Sequence, residues 1–92
     1  MGFKVNSFWT AKFTGTFKRA YKSLGEETKR RVETAIERLL ASSDPKKEGH
    51  TLHGPWKGCY SYEIGLKYRL IYRVDIERKE IEFLAVGAHK IY

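Results

Sequence analysis

The chain has 92 residues, 41% hydrophobic and 14% aromatic, enough apolar material for a single small domain over residues 1–92 and too much for a disordered segment. One cysteine excludes an internal disulfide framework, and no run approaches the roughly 18 apolar residues of a membrane-spanning helix, so a cytoplasmic protein with no membrane partner is expected. Lysine and arginine number 18 against 11 aspartate and glutamate, and the resulting charge of +7 points toward polyanionic partners.

The basic excess is spread along the chain. Residues 1–44 carry nine basic and five acidic side chains and residues 45–92 nine and six, so any nucleic-acid contact falls to the folded surface, not to a basic tail.

In chain order, "FKVNSFW" (Phe3 to Trp9) alternates apolar and polar side chains and predicts a first strand, after which Thr10 can cap a helix. Phe13, Phe17, Ala20, Tyr21 and Leu24 then recur at helical spacing. Gly25 is expected to end that helix, and Glu26 and Glu27 to open a second one at its positive dipole end. Val32, Ala35, Ile36, Leu39 and Leu40 form the second apolar stripe, with Lys29, Arg30, Arg31 and Arg38 mostly on its wet side. From Ser42 to Gly58 no periodicity is visible, and a connection of that length in so small a domain is usually functional or mobile. "CYSYEI", "YRLIYRVD" and "EIEFLAVGAH" follow as three strands separated by turns at Gly65 and "IERK". The predicted class is α+β: an N-terminal strand, a two-helix hairpin and a three-stranded antiparallel meander, with the helices on one face of a mostly antiparallel four-stranded sheet.

Side chains alternate across a strand, so parity sorts the last three strands into two faces. Tyr60, Tyr62 and Ile64, then Tyr68, Leu70, Tyr72 and Val74, then Leu84, Val86 and Ala88 form the set expected to meet the helices. Glu63, Arg69, Arg73 and His89 then project from the opposite face. The fourth strand fits poorly, because Ile81 and Phe83 would fall on the polar side unless a bulge shifts the parity.

A base, an acid and a cation gathered on one face of a basic protein fit phosphodiester cleavage in RNA. Such cleavage needs a base for the 2′-hydroxyl, a cation for the phosphate oxygens and an acid for the departing 5′-oxygen. Histidine serves either proton transfer near neutral pH. Each residue also has a plainer reading: Arg69 can pair with Glu63 across strands, and His50 and His53 can be solvated loop residues. His50, His53 and His89 match metal-ligand spacings poorly, so neither a metal nor another cofactor is expected.

"FKVNSFWTAKF", "HTLHGPWKGCYSYEIGLKYRLIYRV" and the terminal "GAHKIY" together resemble the RelE/ParE superfamily of toxins from type II toxin–antitoxin systems, over nearly the whole chain. The stretch from His50 to Val74 is most similar to the YafQ branch, and "KYRLIYRV" with the C-terminal histidine to YoeB. The resemblance implies a ribosome-dependent mRNA endoribonuclease, with mRNA and ribosomal RNA as partners and a cognate antitoxin that neutralises it. It aligns His50 with a loop general base, Arg69 with a phosphate-binding arginine, His89 with a general acid and Tyr92 with an aromatic that lies against a base. Glu63 stands where that branch has histidine and Lys67 where it has aspartate, which leaves the base open between His50 and Glu63. Ala85 falls where an arginine is usual, with Lys57, Lys67 or Arg73 expected to compensate in binding RNA. The superfamily also contains ParE-like gyrase inhibitors, which carry the same fold without chemistry.

Overall fold

A computed structural model describes residues 8–88. The elements are β1 (Thr10–Phe13), α1 (Gly15–Lys22), α2 (Glu26–Ala41), the short α3 (Pro45–Glu48), β2 (His50–Thr51), a 3-10 turn (Gly54–Trp56), β3 (Tyr60–Ile64), β4 (Tyr68–Asp75) and β5 (Glu80–Ala88). The sheet has five strands in the order β1-β5-β4-β3-β2; β1 pairs with β5 in parallel and the other neighbours are antiparallel. Among the described residues no helix is long and apolar enough to cross a membrane.

One face of the sheet carries the helices. Phe17 from α1 and Val32, Ala35, Ile36, Leu39 and Leu40 from α2 are buried against Ile64, Leu70, Tyr72, Ile81, Phe83 and Val86. Burying one large apolar side chain contributes about 1.5–3 kcal/mol, so this interdigitated layer supplies most of the driving force. The helical hairpin and the α+β class follow the sequence pattern.

Several boundaries differ from that pattern. The strand predicted over Phe3–Trp9 begins instead at Thr10, and residues 3–7 lie outside the described residues. Phe13 belongs to β1 and stacks on Phe83, which is why it keeps apolar phase with Phe17 without being helical. The cap of α1 is therefore Thr14, not Thr10: its Oγ1 accepts from Phe17 N at 3.0 Å. α1 stops at Lys22 with Ser23 as its C-cap, and Gly25 is the N-cap of α2. The stretch 42–58 is not structureless, since it holds α3, the 3-10 turn and the fifth strand, too short to show a period of two.

The parity conflict in the last strand is resolved by a bulge. Ile71 opposes Ala85 while Tyr72 opposes Phe83, so Leu84 is the extra residue. Ile81 and Phe83 face the helices before it, Val86 after it, and Leu84 turns to the opposite face, contrary to its predicted place. Thr14 fastens this point: its N–H donates to Phe83 O at 3.2 Å and its hydroxyl to Leu84 O at 2.8 Å.

Thr14→Ala removes the helix cap and the bulge contact together. The expected loss is about 1–2 kcal/mol, the range for buried N-cap deletions. It should appear as a lower urea midpoint with an unchanged m-value, and Thr14→Ser should restore most of it.

Candidate functional site

The face turned away from the helices is organised in rows by the strand register. Glu63 on β3 lies opposite Arg69 on β4, which lies opposite Gly87 on β5. The next row runs His50, Ser61, Ile71 and Ala85 across four strands. His50 and Glu63 are thus diagonal neighbours, a relation that separates Cα atoms by about 7–8 Å. Two strand spacings and a two-residue stagger put His50 roughly 10–12 Å from Arg69, a gap that a bound phosphodiester and two long side chains can fill. Of the residues predicted to be catalytic, His50, Glu63 and Arg69 therefore share one face. His89, like the RNA-binding candidate Tyr92, lies outside the described residues.

Arg69 and Glu63 approach to 4.0 Å, with side chains 21% and 41% exposed. A half-exposed pair of this kind contributes about 0.2–1 kcal/mol, so it holds the guanidinium in place but can yield it to a phosphate. Its register neighbour on β5 is Gly87, which brings no side chain to the row. The plainer reading of Arg69 as a cross-strand partner of Glu63 is present in the structure, and it is compatible with a binding role.

The sequence placed His50 in a long loop; the structure seats it on a two-residue strand at the sheet edge. What fixes that strand comes from the other face. Tyr72 is fully buried and its hydroxyl donates to Pro45 O at 2.6 Å, pinning α3 against the sheet. Burial, reinforced by the nearby Glu48 carboxylate, pushes the phenol well above its usual value of 10.0, so it remains a donor throughout the neutral range. That anchor would weaken only as pH rises beyond about 10, where an unfolded tyrosine ionises. Gly49 passes so close that a Cβ there would stand 2.5 Å from the Tyr72 hydroxyl and 2.8 Å from Ser61 O. Only glycine fits between α3 and His50.

A second apolar cluster covers part of the far face. Cys59, Ile71 and Ala85 are buried, with Leu52, Trp56 and Leu84 packed against them. Cys59 is therefore a packing residue. Ala85 sits inside this cluster, 1% exposed, so the position that carries arginine in the resembling branch is sealed here.

The remaining RNA-binding candidates divide. Lys57 is exposed at the end of the 3-10 turn, above the cluster. Arg73 points from the same face as Arg69, but Ile71 and its cluster stand between them, and Arg73 pairs with Glu82 in a separate charged patch with Lys12, Asp75, Arg78 and Glu80. Lys67 lies in the β3–β4 turn and lines a groove on the helix side with Glu27 and Arg31, away from the His50 row. Neither Arg73 nor Lys67 joins the cluster around Arg69.

Gly49→Ala and Tyr72→Phe probe the support of His50 separately. The alanine must push β2 from β3, a close-packing strain costing about 1–3 kcal/mol, and should raise amide exchange at Thr51 and Leu52. The phenylalanine leaves Pro45 O without its donor, at a similar cost of about 1–3 kcal/mol, and should loosen α3 first. Equal exchange profiles in the two variants would contradict this division.

The ParE toxin of the type II toxin–antitoxin system parDE, as a family model, matches residues 8–91. None of the curated proteins compared with the chain matches it. Among solved structures, the toxin–antitoxin complex RelBE2 from Mycobacterium tuberculosis is 27% identical, with a TM-score of 0.65 over 88% of this chain and 98% of that one. YafQ from E. coli strain BL21(DE3) is 19% identical, with a TM-score of 0.75 over 90% and 96%. The archaeal RelE–RelB complex from Pyrococcus horikoshii OT3 is 24% identical, with a TM-score of 0.71 over 88% and 94%. The last two similarities speak to the fold alone. A family match over nearly the whole length, on a sheet and helical hairpin of this topology, makes the chain a member of the RelE/ParE toxin superfamily of type II toxin–antitoxin systems.

Proposed function

We propose that the chain is a ribosome-dependent mRNA endoribonuclease acting without a metal. The observation that carries this reading is the common face of His50, Glu63 and Arg69, where proton acceptors and a guanidinium stand in adjacent rows of the sheet. In the proposed reaction His50 or Glu63 removes the 2′-hydroxyl proton, and the 2′-oxygen attacks the adjacent phosphorus. Arg69 neutralises charge building on the phosphate oxygens. The 5′-oxygen leaves with a proton from His89, giving a 2′,3′-cyclic phosphate and a 5′-hydroxyl, while Tyr92 lies against a neighbouring base. Lys57, at the rim, contacts the backbone of the message.

A cognate antitoxin is the second partner in this reading. An acidic, amphipathic segment that orders on the basic surface would either occlude Glu63, Arg69 and His89 or displace the C-terminal "HKIY". The competing function is gyrase inhibition without chemistry, and the specific observation in its favour is that the matching family model is that of a ParE toxin.

Arg69→Ala separates the two. Loss of one charge-stabilising donor should slow cleavage on the order of a hundredfold, while the broken ion pair costs the fold no more than about 1 kcal/mol. The measurement is cut-site mapping on programmed 70S ribosomes, with gyrase supercoiling assayed beside it. An uncut message together with blocked supercoiling would establish the competing function. On this reading the ribosome completes the site, because His50 stands exposed on the edge strand and buried Ala85 fills the position of a family arginine, so naked single-stranded RNA should be cut negligibly at matched enzyme and salt. Equal rates with and without ribosomes would refute that dependence.

A further inference from the structure

α2 and the end of β3 enclose a groove of about 410 Å³ on the helix side of the sheet edge. Its wall is a stripe of α2 residues, Arg30, Arg31, Thr34 and Arg38, which fall on one side of the helix at three- and four-residue spacing. Tyr62 and Glu63 form the opposite wall. The sequence assigned these arginines to a solvated surface and gave them no function.

Their placement distinguishes them, since no other lysine or arginine among the described residues lines this groove. Lys12, Lys29, Lys47, Arg69, Arg73 and Arg78 each lie within ion-pair distance of an acidic side chain. Arg30 and Arg38 form no ion pair among the described residues, and Arg31 has only Glu27, one turn away, in a pair whose side chains are 60% and 73% exposed. From Arg31 to Arg38 is two helical turns, about 10 Å of positive wall.

The groove also communicates with the site face. β2 ends level with Ser61 and so covers β3 no further than Tyr60 and Ser61. Glu63, which lines the groove, is the residue opposite Arg69. A chain of phosphates lying on Arg69 can therefore cross the end of β3 and continue along α2.

We infer that this groove binds the sugar–phosphate backbone of single-stranded RNA beside the cleavage point, with Arg30, Arg31 and Arg38 on phosphates and Tyr62 as a wall on which a base stacks. The inference rests on the proposed action on mRNA. An acidic peptide fits less well. Protein interfaces are centred on apolar and aromatic anchors with charge depleted. Among the described residues the large exposed hydrophobics, Phe8, Leu66 and Ile76, all lie outside this groove's lining. Stacking surfaces beside positive charge are what single strands use.

The test uses a fluorescein-labelled, uniformly 2′-O-methylated RNA of about 20 nucleotides, which cannot be cut by 2′-oxygen attack. Its affinity and salt dependence are measured for the full chain, for Arg30→Gln/Arg38→Gln, and for Arg19→Gln/Lys22→Gln, an equal charge change on α1. The groove variant should bind on the order of tenfold more weakly, and its log–log salt slope should flatten by about 1.4, or ~0.7 for each phosphate no longer neutralised. The α1 variant should change less than twofold. Equal weakening in both variants would mean general electrostatic attraction and overturn the inference. Unchanged affinity in the groove variant would overturn it as well. So would loss of binding to a poly-glutamate peptide with RNA binding retained, which would assign the groove to a protein partner. Cleavage is not read in this assay, so a failure of the ribonuclease reading would appear only in the ribosome experiment.

Discussion

The bulge at Leu84 is the constraint on which the rest of the sheet depends. β5 lies between β1 and β4, and its two halves have opposite parity. Without the extra residue, either Ile81 and Phe83 or Val86 would leave the helix-side core, and burying one of these is worth about 1.5–3 kcal/mol. The bulge keeps all three inside. It also moves Leu84 to the far face, where it joins Ile71 and Ala85 in the small cluster that sets the limit of the polar surface. Thr14 ties the same point to the start of α1, so the orientation of the helical hairpin and the layout of the site face share one anchor.

The far face is divided by this arrangement. Along the strands, Glu63 and Arg69 stand on one side of the Ile71 cluster and Arg73, matched with Glu82, on the other, while His50 lies at the sheet edge in the row of Ile71 itself. The division explains why four charged positions that look equivalent in a strand pattern are not. Arg69 has Gly87 for a neighbour and Glu63 at 4.0 Å, while Arg73 faces Glu82 in a patch with three other acidic or basic strand residues and Arg78.

The helical stripes and the parity of β3 and β4 were legible because they are long enough to express a period: Val32 to Leu40 covers more than two turns, and Tyr68 to Val74 alternates apart from Ile71. The cross-strand contact of Glu63 and Arg69 could be read from the same parity. What could not be read depends on tertiary partners. Two residues of β2 carry no period, and it is Gly49 against Tyr72 that makes them a strand. Phe13 keeps the helical phase of Phe17 only because both pack on Phe83. The side of Leu84 was undecidable until the register across from Ile71 was known. The arginine groove was hidden for a different reason: its two walls, α2 and the end of β3, are more than twenty residues apart in sequence, from Arg38 to Tyr62, and nothing local in either marks it.

The parallel pairing of β1 with β5 brings Thr10 beside Glu80 and Phe13 beside Phe83, so the contact spans 80 − 10 = 70 residues. Such long-range closure slows folding, because the entropy of closing the loop is given up before the contacts form. It also makes the structure indivisible during synthesis. A growing chain that ends before β5 has no partner for β1, lacks Ile81, Phe83 and Val86 from its core, and leaves β4 as an open edge. Arg69 then has no third strand beside it to hold its row. A nascent chain therefore carries every residue of the α2 groove and most of the polar face long before any of them is fixed in space, and the surface assembles in one cooperative step when the last strand arrives.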